Sequence, residues 1–96
     1  MVETEIVETK QGAGLGIKID LHGVPALVIK AEKGFLCCGI FDKKALEKFD
    51  CCAVVVTGVK SFREMLKKKV AYVTKKAKKI GIRDSMTGEQ ALNRML

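Results

Sequence analysis

The stretch GFLCCGIFDKKALEKFDCCAVVV, residues 34–56, carries all four cysteines of the chain as two adjacent pairs, Cys37-Cys38 and Cys51-Cys52. Thiols so placed can hold a metal, form disulfides, act as a nucleophile or fill a core. Structural zinc sites space ligands as C-x2-4-C, so that two thiolates turn toward one ion. Adjacent residues of a strand point to opposite faces, so these pairs chelate badly, and no metal or other cofactor is implied. A disulfide between neighbours is strained for the same reason. Free cysteine packs as a small hydrophobe, and core filling is the reading for Cys37, Cys51 and Cys52. Cys38 stands apart. It closes its strand just before Gly39 with a helix start nearby, and a helix N-terminus lowers a thiol pKa. That makes Cys38 the candidate nucleophile of a cysteine-dependent enzyme. No second catalytic group accompanies it, since the single histidine, His22, belongs to a turn. Whether the chain is an enzyme stays open at this level.

A second candidate is AVVVTGVKSFREML, residues 53–66, which reads strand, turn, helix. The carboxyl end of an inner strand opening into a helix is where α/β sheets commonly bind anionic ligands. Gly58 would let a ligand approach the backbone, while Thr57, Lys60 and Ser61 supply hydroxyl and ammonium groups. The P-loop pattern GxxxxGK[ST] is absent, and a capped helix with no ligand is the competing reading. A third candidate is DSMTGEQAL, residues 84–92, where Thr87 caps another helix and Gly88 lies in its first turn. The two turns would form one pocket if the fold brought them together. Plain capping by Thr87 competes here too.

These groups need a scaffold. Residues 2–9 and GIKIDL (16–21) alternate as strands with one wet face. Gly12–Gly14 is the expected turn between them. His22-Gly23 is a hairpin signal, because such a turn needs positive φ and glycine adopts it freely. VPALVIK and FLCCGIF follow, which gives an antiparallel meander of four strands. Asp42 is a helix N-cap before KKALEKF. CCAVVV is continuously apolar, as in a strand buried on both faces. The nine residues between Phe41 and Cys51 are short for a crossover, which usually takes about a dozen, so parallel pairing with a stagger is expected. Ser61 and Glu64 form a capping box for one long helix, with Phe62, Met65, Leu66, Val70, Val73, Ala77 and Ile80 on its apolar face. The β-branched Val70 and Val73 leave room for a break near Lys68. Gly81 stops that helix, and Thr87 with Gln90 opens a last one. The expectation is one α+β domain over residues 1–96: a mixed sheet of about five strands packed with three helices.

The net charge of +7 is unevenly placed. Residues 60–83 hold ten Lys or Arg and one acid, Glu64, so that segment is +9 and the rest of the chain −2. A basic helix face can hold nucleic-acid phosphates through counterion release. With no interleaved aromatics to stack bases, a solvated face is favoured over a nucleic-acid-binding module. No apolar run reaches the ~20 residues of a membrane span. The acidic, alternating start MVETEIVETK is no signal peptide. A cytoplasmic protein is therefore expected, and reducing cytosol also disfavours disulfides. A chain this small and this rich in apolar strands is also expected to need a partner face, as a homo-oligomer.

The motifs GFLCCG (34–39), AVVVTGVKSF (53–62) and MTGEQAL (86–92) together resemble the YunC-like family of uncharacterised proteins, a domain of unknown function. The resemblance implies an α+β fold and no established activity. Its Cys-Gly falls on Cys38-Gly39, and it singles out Cys38, Thr57, Gly58, Lys60, Thr87 and Gly88. Ser85 departs from the pattern, which has glycine before the methionine. The functional expectation is a small protein that binds a phosphate-like anion at turn 57–61.

Overall fold

A computed structural model describes residues 2–96 of the chain. Six strands form one sheet in the order β1-β2-β3-β4-β5-β6. They are β1 (Val2–Thr9), β2 (Gly12–Leu21), β3 (Val24–Lys30), β4 (Phe35–Cys38), β5 (Ala53–Val56) and β6 (Tyr72–Val73). Four helices accompany them: α1 (Lys43–Lys48), α2 (Phe62–Lys67), α3 (Lys75–Lys79) and α4 (Gly88–Met95). The class is α+β with a mixed sheet, one strand and one helix richer than the sequence suggests.

The meander follows from the alternation. β1 to β4 pair antiparallel in sequence, with Leu21 opposite Val24 across the His22-Gly23 loop. Both loop residues have positive φ, 52° and 88°, the twist that a two-residue hairpin needs. The Asp20 carboxylate accepts the Gly23 N–H at 3.0 Å and fastens the turn. The first turn departs from expectation. It is made by Lys10-Gln11, and Gly12 and Gly14 belong to β2, with Thr9 opposite Gly12. Gly12, Gly14 and Gly16 recur every second residue and so share one face. That face receives the helices: a methyl group added at Gly16 would fall 2.8 Å from the Phe62 ring.

β4 and β5 are the parallel pair, with Phe35 opposite Ala53 and Cys38 opposite Val56. No stagger is needed. Both strands are shorter than their apolar runs, so the crossover has the whole of residues 39–52 to turn in, and α1 lies within it. Asp42 caps α1 as expected, accepting the Lys44 N–H at 3.3 Å. β5 lies between β4 and β6 with all four residues buried, dry on both faces. One face carries the main core, where Leu27, Ile29, Leu36, Val54 and Val56 meet Phe62, Met65, Ala77, Leu92 and Met95. On the other, a smaller core of Cys37, Leu46, Ala53 and Val55 is closed by α1.

The long basic helix is corrected by the structure. Residues 62–79 form two short helices, α2 and α3, with β6 between them. The outer edge of β5 decides this. Its backbone groups need partners, and Ala71 N–H donates to Val55 O at 2.7 Å while Thr74 N–H donates to Ala53 O at 3.1 Å. The β-branched Val70 and Val73 suit that extended strip. Among the described residues, no helix is long and apolar enough to cross a membrane.

Candidate functional site

Parallel strands β4 and β5 end side by side, and their carboxyl ends open into a cleft of about 520 Å³. Cys38, Gly39 and Ile40 line it from the end of β4. Gly58, Val59 and Lys60 line it from the turn after β5, and Gly23, Val24 and Pro25 from the β2–β3 hairpin. The two strand ends touch, since a methyl group added at Gly39 would lie 3.0 Å from Thr57 Cγ2. The wall is mainly apolar, and Lys60 brings the ammonium group. A more polar cleft of about 350 Å³, holding Glu3, Lys18 and Asp20, continues from it and shares Gly23, Pro25 and Lys60.

Turn 57–61 is shaped by its own charges. Gly58 has a φ of 69°, the left-handed region that glycine adopts without strain. A methyl group there would meet Lys68 Nζ at 2.7 Å, so a second ammonium flanks the turn beside Lys60. The capping of α2 differs in one detail from a reciprocal box. Ser61 Oγ accepts the Glu64 N–H at 3.2 Å, but the Glu64 carboxylate accepts the N–H of Lys60, at 2.6 Å, one residue before the cap. Glu64 thus supplies an internal anion where an external one was expected. α2 is also only six residues long, and its macrodipole is correspondingly small. The cationic groups at this turn are the side chains of Lys60 and Lys68.

Cys38 lies on the cleft wall and is 5% exposed. Its Sγ accepts the N–H of buried Leu27 at 3.3 Å, and the thiol donates toward Pro25 O at 3.8 Å. Of the four thiols, Cys38 lines this cleft and the other three do not. All four are free. Burial pushes the Cys37 thiol up to about 12, with Cys38 and Cys51 adding to the shift. Burial raises Cys52 as well. Cys37 sits in the smaller core, Cys52 in the main one, and half-buried Cys51 packs against the smaller, which is the packing role read from their spacing. Among the described residues, no three His, Cys, Asp or Glu side chains converge as metal ligands.

The sequence candidates therefore separate in space. Cys38, Gly58 and Lys60 share the cleft. Thr57 stands at its edge over Gly39, and Ser61 lines a different, smaller cleft with Phe62 and Arg63. Thr87 and Gly88 are not among the cleft residues. They form the full capping box of α4, with Thr87 N–H donating to Gln90 Oε1 at 2.9 Å and Gln90 N–H donating to Thr87 Oγ1 at 3.3 Å. Gly88 N–H donates to Lys68 O at 2.8 Å, and a Cβ on Gly88 would collide with the Met65 carbonyl. Glycine is needed there for the close approach of α4 to α2. Val24, Pro25 and Ile40 escaped the sequence reading. They reach the cleft through strand register and chain reversal, and no local motif marks them.

The basic residues are likewise divided. Lys67, Lys68 and Lys69 end α2 or follow it, while Lys75, Lys76, Lys78 and Lys79 belong to α3. The single continuous stripe that a nucleic-acid helix would present is not formed.

No curated protein matches the chain. A crystal structure of a protein of unknown function from Thermoplasma acidophilum matches at 29% identity and a TM-score of 0.91, covering 100% of this chain and 94% of that one. A family model described as a domain of unknown function, DUF1805, matches residues 37–95, which hold the β4 end, the crossover, turn 57–61 and α4. The chain thus belongs to the DUF1805 family, in keeping with its YunC-like motifs.

Proposed function

We propose that the cleft at the carboxyl ends of β4 and β5 binds a small molecule with an apolar body and one anionic group. The convergence of Cys38, Gly39, Gly58 and Lys60 around a cleft of about 520 Å³ carries this reading. That volume falls within the roughly 300–1,000 Å³ of small-molecule sites, which are commonly apolar with a few convergent polar groups. The position, beyond the carboxyl ends of parallel strands, is where open sheets take ligands. Val24, Pro25, Ile40 and Val59 would hold the apolar body, and Lys60, with Lys68 behind Gly58, the anion. Four free thiols suit a reducing compartment such as the cytoplasm.

Titration with phenyl phosphate, and separately with inorganic phosphate, tests this by amide NMR. Phenyl phosphate should shift Gly39 and residues 58–60 saturably and bind more tightly than inorganic phosphate, and Lys60→Ala should weaken it. Equal affinity for the two probes would remove the apolar contribution. No saturable shift at these amides would remove the site.

A second reading rests on Cys38 being the thiol on the cleft wall: covalent chemistry on the bound molecule. Alkylation followed by mass spectrometry separates the two. Faster labelling of Cys38 than of Cys37, Cys51 and Cys52 supports the covalent role, and equal or slower labelling sinks it.

A further inference from the structure

Half of the sheet is covered on one side only. On the face opposite the main core, α1 closes β4 and β5 through Leu46, and half-buried Val28 packs against that smaller core. Ala26 is buried, but most other side chains of β1, β2 and β3 on that face stay open. Strand pairing puts Val2 beside Ile19, Ile6 beside Leu15 and Leu21 beside Val24, all on this face. These six are between 38% and 64% exposed. Ile17 and Val28 continue the apolar surface between them. We propose that this face docks a second copy of the same chain, with the twofold axis running along β2 between the two sheets.

The charges on the face choose the occupant and the axis. Of the residues that β1, β2 and β3 turn to this side, the ionisable ones are Glu8 and Lys30. Both are exposed, and among the described residues neither joins an intrachain salt bridge. They lie on the two outer strands of the patch, toward the same end. Rotation about an axis along β2 lays β1 of one copy over β3 of the other. Lys30 is then level with Ile6 of the second copy. Glu8 lies two residues further along that strand, ~6.6 Å away and within reach of the long lysine side chain, and symmetry repeats the pair. Isologous interfaces have this form: i meets j, and j meets i. A twofold axis across the strands would instead bury Glu8 and Lys30 against the Val2, Leu21 and Val24 end, leaving both charges unpaired in apolar surroundings.

The area is sufficient. β2 has ten residues; at ~3.3 Å each and with strands ~4.8 Å apart, three strands present roughly 450 Å² in projection. Pairing two copies removes at least about 900 Å², and side-chain relief brings this to the ~1,000 Å² of a specific interface. The sheets would stack ~10 Å apart with strands within ~30° of parallel.

Sedimentation equilibrium of the full chain should give twice the 10.5 kDa protomer mass at micromolar concentration. Ile19→Lys should yield a folded monomer, because Ile19 is outside both cores. Glu8→Lys and Lys30→Glu should each weaken the dimer by about tenfold or more, and the double exchange should restore it. Far-UV circular dichroism checks that each variant stays folded. A wild-type monomer throughout the concentration range, or a dimer indifferent to Ile19→Lys, overturns the docking face. Failure of the double exchange to restore pairing overturns the axis.

Discussion

The Sγ of Cys38 takes the place of a backbone carbonyl for Leu27, accepting its N–H at 3.3 Å where the β3–β4 ladder runs out. Leu27 is fully buried, so its N–H has no water to turn to. Cys38→Ala should therefore cost about 1–3 kcal/mol, the penalty of a buried donor left without an acceptor. Cys38→Ser keeps an acceptor and should cost less. Urea midpoints of the three proteins decide this. Equal loss in both variants would show that the sulfur acts through volume alone.

Gly88 offers a test with opposed signs. It lies in the first turn of α4, where alanine would ordinarily gain up to about 1 kcal/mol of helix stability. A Cβ there would overlap the Met65 carbonyl, and backbone yields less readily than a flexible side-chain tip. Overpacking of this kind costs ~1–3 kcal/mol, so Gly88→Ala should destabilise. Thermal unfolding reads the sign directly, and a gain in Tm would mean that α4 can shift freely over α2.

The pH dependence of stability should carry the mark of Glu47 and Tyr72. The Tyr72 hydroxyl donates to Glu47 Oε2, and the Lys75 N–H donates to Oε1 at 3.2 Å. The tyrosine hydrogen bond first, then the Lys75 amide, hold the Glu47 carboxyl below its ordinary value. The same hydrogen bond raises Tyr72 above its own. A lowered carboxyl stabilises above its unfolded pKa and loses this as pH falls through the folded one. A raised phenol stabilises below its unfolded pKa and loses this as pH rises through the folded one. The stability difference between wild type and Tyr72→Phe should thus be flat from roughly pH 5 to 9 and shrink on both sides. Denaturant titrations across that range check it; a difference unchanged below pH 4 would separate the pair.

Much of the scaffold is written locally. The alternation of GIKIDL, the His22-Gly23 turn, the Asp42 and Thr87 caps and the dry AVVV part of the CCAVVV run each depend on neighbours within a few residues, and each is present in the folded chain. The site was half legible for the same reason. Cys38, Gly58 and Lys60 belong to strand ends and turns, whereas Val24 and Pro25 arrive from a hairpin far away in sequence.

Thr74 shows where local reading stops. Its side chain is completely buried, yet nothing in its own neighbourhood distinguishes it from any threonine before a lysine run. Its hydroxyl donates to Cys51 O at 2.7 Å and accepts the N–H groups of Ala53 at 3.1 Å and Ala77 at 3.3 Å, tying the start of β5 to α3.

Residue order alone determined the strand character of the meander, the positions of most caps and the dryness of β5, because these follow from side-chain patterning and from backbone groups satisfied close by. Tertiary structure decided that residues 62–79 break around β6, that three glycines of β2 form a seat for helices, and which strand ends share a cleft. Those outcomes depend on backbone and core surfaces that meet only when distant segments pair, and no short-range periodicity encodes such a meeting.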